Sequence, residues 1–140
     1  MSEENVEIVR RAIDEFVSAD FDPRAQSDDE FFEVFDPGVA YDVSRTNPET
    51  QVYYGRDGVI EILEQWIHTW DDYEIEALEL VDGGADHVVS VIRERGKLSG
   101  SDAWVEHTRG AVWTVRDQRI TRYEEHEDRP QALEAAGLRE

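Results

Sequence analysis

The chain is predicted to fold as one α+β domain over residues 1–140, an antiparallel sheet with helices packed on one face. Three observations lead there. Helical periodicity dominates the first half and strand alternation the second, in the order helix, helix, strand, helix, four strands, helix; segregation of this kind points to α+β. Trp104 to Glu127 holds two β-branched and aromatic runs joined at Asp117-Gln118, a hairpin pattern. A length of 140 residues, 39% apolar with four tryptophans, suffices for one core and not for two.

Each element follows from its own pattern. Ser2 to Ala19 reads as a helix, because Val6, Val9, Ile13, Phe16 and Val17 recur every three or four residues. Ser2 can cap it, and Glu3 and Glu4 suit the positive end of its dipole. After a break at Asp22-Pro23, the capping box Ser27-Asp-Asp-Glu30 opens a second helix carrying Phe31, Phe32, Val34 and Phe35. Asp36-Pro37-Gly38 is expected to stop it. Val39 to Val43 is a short strand, and polar Ser44 to Tyr53, with Asn47-Pro48, is a loop. A third helix starts with Asp57 as its cap and buries Ile62, Leu63, Trp66, Ile67 and Trp70.

Tyr73 to Val81 is a strand whose alternation slips at Ala77-Leu78, the mark of a bulge. Asp82 to Asp86 turns the chain into a strand from His87 to Arg95, and Gly96 to Asp102 is a flexible connection to the hairpin. Asp128-Arg-Pro-Gln131 is a second capping pattern, so a short helix ends the chain and closes at Gly137.

Composition removes several function classes. The formal net charge is −20, from 34 acidic and 14 basic residues, so phosphate backbones and anionic membranes are repelled. Nucleic-acid and membrane partners are not expected. Lys97 is the single lysine; the bias fits either a salt-rich cytoplasm or a GC-rich genome and says nothing of chemistry. Without cysteine there is no disulfide and no thiolate nucleophile or ligand. No run is long enough to span a membrane and the first residues are no signal peptide, which together read as soluble and cytoplasmic. Neither a metal nor a cofactor is expected: His126 with Glu124 and Glu127 has no recognised ligand spacing, and Gly83-Gly84 is a turn rather than a phosphate loop.

The hairpin carries the candidate chemistry. Strand side chains alternate, so His107, Arg109, Ala111, Trp113 and Val115 share one face, and Thr121, Tyr123 and Glu125 share one on the second strand. An acid, a base and a cation beside aromatic walls make a small-molecule site.

The residues and their order resemble the SnoaL-like proteins of the nuclear transport factor 2-like superfamily. The resemblance rests on Glu4-Asn-Val-Glu-Ile-Val-Arg-Arg11, Asp36-Pro37, Tyr54-Gly-Arg-Asp-Gly-Val59, Val112-Trp-Thr-Val-Arg-Asp117 and Asp128-Arg-Pro-Gln-Ala-Leu-Glu-Ala-Ala-Gly137, and it covers nearly the whole chain. It implies a cone: a curved antiparallel sheet wrapped around helices, with an internal pocket and an outer sheet face that often forms a homodimer. The superfamily holds several chemistries, so function has to be read from residues. Ketosteroid isomerases need a carboxylate base, a tyrosine and a protonated aspartate; those positions align with Val43, Ile13 and Ala111, which are inert. Asp42 lies one residue from the base position, on the opposite strand face. The epoxide hydrolases of the superfamily use Asp-Arg-Asp; their last-strand acid falls on Glu125, while their Arg-x-Asp meets Arg93-Glu94-Arg95 out of register. Polyketide cyclases use an acid near the same place, so two resemblances select Glu125.

The expected catalytic residues are Glu125, His107 and Arg109, and the expected substrate-binding residues are Tyr41, Tyr54, Trp66, Trp113 and Tyr123. The functional reading is a cofactor-independent acid/base enzyme (isomerase, cyclase or hydrolase) acting on a small apolar molecule. Its alternative is a ligand-binding or accessory dimer that uses the same pocket without catalysis. Each candidate also has an ordinary reading: Glu125 as part of a solvated acidic run, Arg109 as a cross-strand ion pair, the tryptophans as core.

Overall fold

The computed structural model describes residues 2–16, 33–44, 52–84, 86–98 and 100–138. The elements are α1 (Ser2–Phe16), β1 (Phe35–Asp42), β2 (Val52–Tyr54), α2 (Gly55–His68), β3 (Trp70–Gly84), β4 (His87–Leu98), β5 (Trp104–Arg116), β6 (Arg119–His126) and α3 (Arg129–Ala135). The end expected for the first helix and most of the capping-box helix lie outside the described residues.

The six strands form one curved, unclosed sheet in the order β2-β1-β6-β5-β4-β3. It is mixed: β1 runs parallel to β6, and the other neighbours are antiparallel. Its inner face meets α1 and α2, where Val9, Ile13, Val59 and Leu63 pack with Val88, Trp113, Val115 and Ile120. The apolar stripe of α1 explains this side of the contact: Val9, Ala12 and Ile13 are buried while Glu3, Glu4 and Arg10 face out. The β5–β6 turn follows expectation, with Asp117 and Gln118 both left-handed at φ 52° and 65°, the twist a two-residue hairpin loop requires.

Several boundaries differ from the sequence expectation. β1 starts at Phe35, not Val39, because Asp36-Pro37-Gly38 does not end a helix here. It makes an irregularity within the strand, where the register shifts between Phe35 and Ala40 and the Gly38 N–H donates to Asp36 at 2.8 Å. Val52 and Tyr53, expected as loop, form with Tyr54 an edge strand paired with β1, too short to show alternation. α2 begins at Gly55 with Tyr54 as its cap residue, so Asp57 lies in the first turn and is not the cap. Trp70 opens β3 instead of closing the α2 stripe. β3 and β4 both run longer than expected, and Gly96 belongs to β4: a Cβ there would lie 2.6 Å from the Trp70 ring and from the Asp72 carbonyl. The slip near Ala77 is a register shift between Ala77 and Glu79, as the alternation indicated.

Helices do not all lie on one face. α3 packs on the outer face, burying Ala132 and Leu133 against Val89 and Val112. Gly110 makes room for it, since a Cβ there would sit 2.5 Å from the Asp128 carbonyl oxygen and 2.8 Å from the Ala132 Cβ. Asp128 caps α3 by accepting from the Gln131 N–H at 3.0 Å, and Gly137 at φ 80° follows its end.

Candidate functional site

Cross-strand register gathers the site on the inner face. Along β4 and β5 the pairs are Glu94 with His107, Ile92 with Arg109, Ser90 with Ala111 and Val88 with Trp113. β6 adds Glu125 opposite Ala111 and Tyr123 opposite Trp113, and parallel β1 sets Tyr41 beside Tyr123. Directly paired residues share a face, so these side chains converge. The helices roof the space with Ala12, Ile13 and Phe16 from α1 and Ile62, Leu63 and Trp66 from α2. Between sheet and roof lies a cavity of about 170 Å³.

The polar floor is a connected network. Arg109 Nη1 donates to Glu125 Oε2 at 3.0 Å, and its Nε stands 3.9 Å from Glu94 Oε2. The Tyr123 hydroxyl donates to Glu125 Oε1 at 3.1 Å, so both oxygens of Glu125 accept. Trp113 Nε1 donates to Ser90 Oγ at 2.9 Å, and Trp66 Nε1 to the Tyr73 hydroxyl at 2.9 Å. Tyr41 stacks on Tyr123 at 4.2 Å between ring centroids, with Trp113 edge-on to Tyr123 at 4.7 Å.

Two carboxyls thus share one guanidinium, but unequally. Glu94 is 8% exposed, and its Oε2 is buried without a hydrogen-bond partner. Burial pushes the Glu94 carboxyl up to about 7, and the Glu125 charge adds to the rise; Arg109 and the Tyr73 hydroxyl oppose it. Burial also raises the Tyr41 and Tyr123 hydroxyls, with Glu125 as the next cause in both. His107 is held below the usual imidazole value by desolvation and then by Arg109, against the pull of Glu125.

Six of the residues expected from sequence meet here: Glu125, Arg109, Tyr41, Trp66, Trp113 and Tyr123 all line the cavity. His107 is exposed and does not line it; its Nε2 lies 3.3 Å from Arg109 Nη2, so it contacts the site through the arginine. Tyr54 is a correction: it ends the edge strand at 70% exposure, away from the cavity. Strand alternation turns its neighbour Tyr53 toward the core instead. Ile13, Val43 and Ala111 line the cavity as apolar side chains, so the three ketosteroid isomerase functions have no groups at those positions. Asp42 points away, accepting from Ser44 and Arg122.

Glu94 is the residue that sequence reasoning undervalued, along with Tyr73 behind it. Its signal was the alternation Val88, Ser90, Ile92, Glu94, which puts a carboxyl among the otherwise uncharged inward residues of β4. Among the described residues no group of three or more His, Cys, Asp or Glu could hold a metal ion, and no helix is long and apolar enough to cross a membrane.

No family model matches the sequence, and no curated protein matches it. Solved structures do match. A protein with a ketosteroid isomerase-like fold from Catenulispora acidiphila, in complex with trimethylamine, is 15% identical with a TM-score of 0.70, over 95% of this chain and 94% of that one. A protein assigned to the SnoaL-like polyketide cyclases from Jannaschia sp. CCS1 is 18% identical with a TM-score of 0.67, over 88% and 84%. A nuclear transport factor 2-like protein of unknown function from Burkholderia pseudomallei is 16% identical with a TM-score of 0.69, over 96% of each chain. The chain has the nuclear transport factor 2-like fold, an α+β cone. At these identities the likeness concerns the fold, and the chemistry rests on the residues.

Proposed function

We propose that the protein binds a small, largely apolar molecule in this cavity and performs acid/base chemistry on it without a cofactor, with Glu94 and Glu125 as the working pair. One observation carries the reading: two carboxyls in unequal surroundings face one cavity and share Arg109. Groups whose environments separate their proton affinities divide into an acid and a base. Glu94, raised to about 7, retains a proton near neutral pH and serves as the donor. Glu125 is the acceptor, oriented by Arg109 and Tyr123. Arg109 balances the charge that appears on Glu94 once its proton has left.

The pair supports two balanced steps. With an enolisable ketone, Glu125 takes a proton from the carbon beside the carbonyl while Glu94 gives its proton to the carbonyl oxygen, leaving an enol. With an epoxide, Glu125 takes a proton from water as the oxygen attacks carbon, and Glu94 protonates the oxygen released from the ring. The second arrangement, two acids flanking an arginine, is similar to that of the epoxide hydrolases of this fold, although Glu94 and Arg109 come from adjacent strands here. His107 has an indirect part, steadying Arg109 from the mouth. The neighbour from C. acidiphila, in complex with trimethylamine, supports the small-ligand side of the reading.

The empty isomerase positions at Ile13, Val43 and Ala111 favour a second reading, a binding protein without catalysis. Glu94→Gln and Glu125→Gln separate the two. Loss of turnover by roughly 10²-fold or more in each, with ligand binding retained, is the expected result for an acid/base pair. A ligand that binds wild type and both variants alike, with no turnover in any, supports the accessory protein.

A further inference from the structure

We infer that the pocket selects a molecule of about one ring, without negative charge, carrying a single hydrogen-bonding oxygen, and that it excludes anions and multi-ring compounds. The inference rests on the small-molecule reading above and adds the class of compound.

Size comes first. A cavity of about 170 Å³ is close to the roughly 150 Å³ apolar cavity known to hold benzene. To lie wholly inside, a fused second ring has to displace the roof, where Phe16, Leu63 and Trp66 pack.

Charge comes second. Arg109 is the one cation among the described lining residues, and it is committed: Nη1 to Glu125, Nη2 toward His107, Nε facing Glu94. A carboxylate or phosphate ligand finds no spare positive charge and meets two acidic groups in a chain of net charge −20.

Polarity comes third. The indole N–H of Trp66 is spent on Tyr73 and that of Trp113 on Ser90, while the Tyr123 hydroxyl is spent on Glu125 and the Tyr41 hydroxyl is hydrogen-bonded with that of Tyr123. Among the described residues the helix side offers only apolar side chains apart from the Trp66 ring. Glu94 is the floor group with hydrogen-bonding capacity left over, its Oε2 lacking a partner. One ligand oxygen is therefore as much polarity as the site can satisfy.

The test is a panel of three compounds built on an aromatic ring: acetophenone, benzoate and 2-acetonaphthone. Binding to the full chain is followed by the indole N–H NMR signals of Trp66 and Trp113. Acetophenone is expected to move both signals and to bind at least about tenfold more tightly than each of the others, a margin of about 1.4 kcal/mol. Benzoate or 2-acetonaphthone binding as tightly as acetophenone overturns the inference, as does no binding by acetophenone.

The pH dependence gives a second readout. Glu94 is faced by Tyr73 from β3, Arg109 and His107 from β5, Tyr123 and Glu125 from β6, and Tyr41 from β1; among the described side chains α1 and α2 present no titratable group to the cavity. A ketone oxygen accepts only from protonated Glu94, so affinity should hold below pH 7 and fall as pH rises through it. In Glu94→Gln the amide donates at every pH, so the dependence on this group should vanish; an unaltered pH profile in that variant overturns the assignment of Glu94 as the donor. Exchange of the acetophenone methyl protons with D₂O, run in parallel, reports enolisation. Binding without exchange counts against the acid/base chemistry and leaves the ligand class standing.

Discussion

Two Glu–Arg pairs on opposite faces of one sheet respond to the same chemistry in opposite ways. On the outer side, Glu79 accepts two hydrogen bonds from Arg129, at 2.8 and 3.2 Å, and the pair lies well into solvent. Its carboxyl is held below the usual range, chiefly by the arginine hydrogen bonds. On the inner side, Arg109 stands 3.9 Å from Glu94, too far to hydrogen-bond, and Glu125 competes for it. Glu94 moves the other way, up to about 7. An arginine next to a glutamate does not by itself decide the sign. Hydration and the number of acids per base decide it: two carboxyls per guanidinium in a desolvated space leave one of them under-compensated. The outer face keeps closer accounts, with Glu76 on Arg93, Asp72 on Lys97, and Glu74 and Glu106 on Arg95, all largely exposed except the lysine.

The sharpest way to break this contrast is to remove the shared cation. Arg109→Leu should destabilise the fold by about 3–5 kcal/mol at pH 8, because both inner carboxyls lose their counter-charge. The loss should shrink at pH 5, where protonation relieves it. Urea denaturation at the two pH values measures this, and a loss independent of pH contradicts the electrostatic account.

The next effect concerns Glu94 alone. Its native value lies above its unfolded one, so the native state binds the extra proton and wild-type stability falls as pH rises from about 4.5 to 7. A rise from 4.5 to about 7 corresponds to about 3 kcal/mol. Glu94→Gln should remove most of that slope and be the more stable protein at pH 8, even as it loses turnover. Denaturation curves at pH 4.5, 6 and 8 for both proteins check the prediction, and parallel slopes would count against it.

The smallest effect belongs to the outer pair. Glu79→Gln should shift the unfolding midpoint far less than either inner substitution, and 1 M salt should erase the shift. A salt-resistant change comparable to that of Arg109→Leu would mean the two faces are not as different as their hydration suggests.

Much of the inner-face site was legible as alternation. Arg109, Ala111 and Trp113 had to share a face once β5 was a strand, and Tyr123 and Glu125 followed from the hairpin turn. Glu94 was harder because the connection from Gly96 to Asp102 reads as flexible, which leaves the register of β4 against β5 open. Its burial also depends on the helices above it. Tyr54 misled because the edge strand that turns it outward is three residues long, below what periodicity resolves. The Asp-Pro-Gly stretch misled because a breaker within a helix pattern and an irregularity within a strand look alike until the neighbouring strands are placed.

The fold class, the α1 stripe, the hairpin, the bulge at Ala77 and the capped terminal helix are all readable from local residue patterns. These depend on period, turn chemistry and capping, which act over a few residues. Only the tertiary structure decided that Tyr41 stacks on Tyr123 across a parallel pairing more than eighty residues apart, that α3 takes the outer face over Gly110, and that Glu94 and Glu125 compete for Arg109. Proton affinity and pocket shape depend on desolvation, and desolvation is a property of what packs above a residue rather than of what flanks it in the chain.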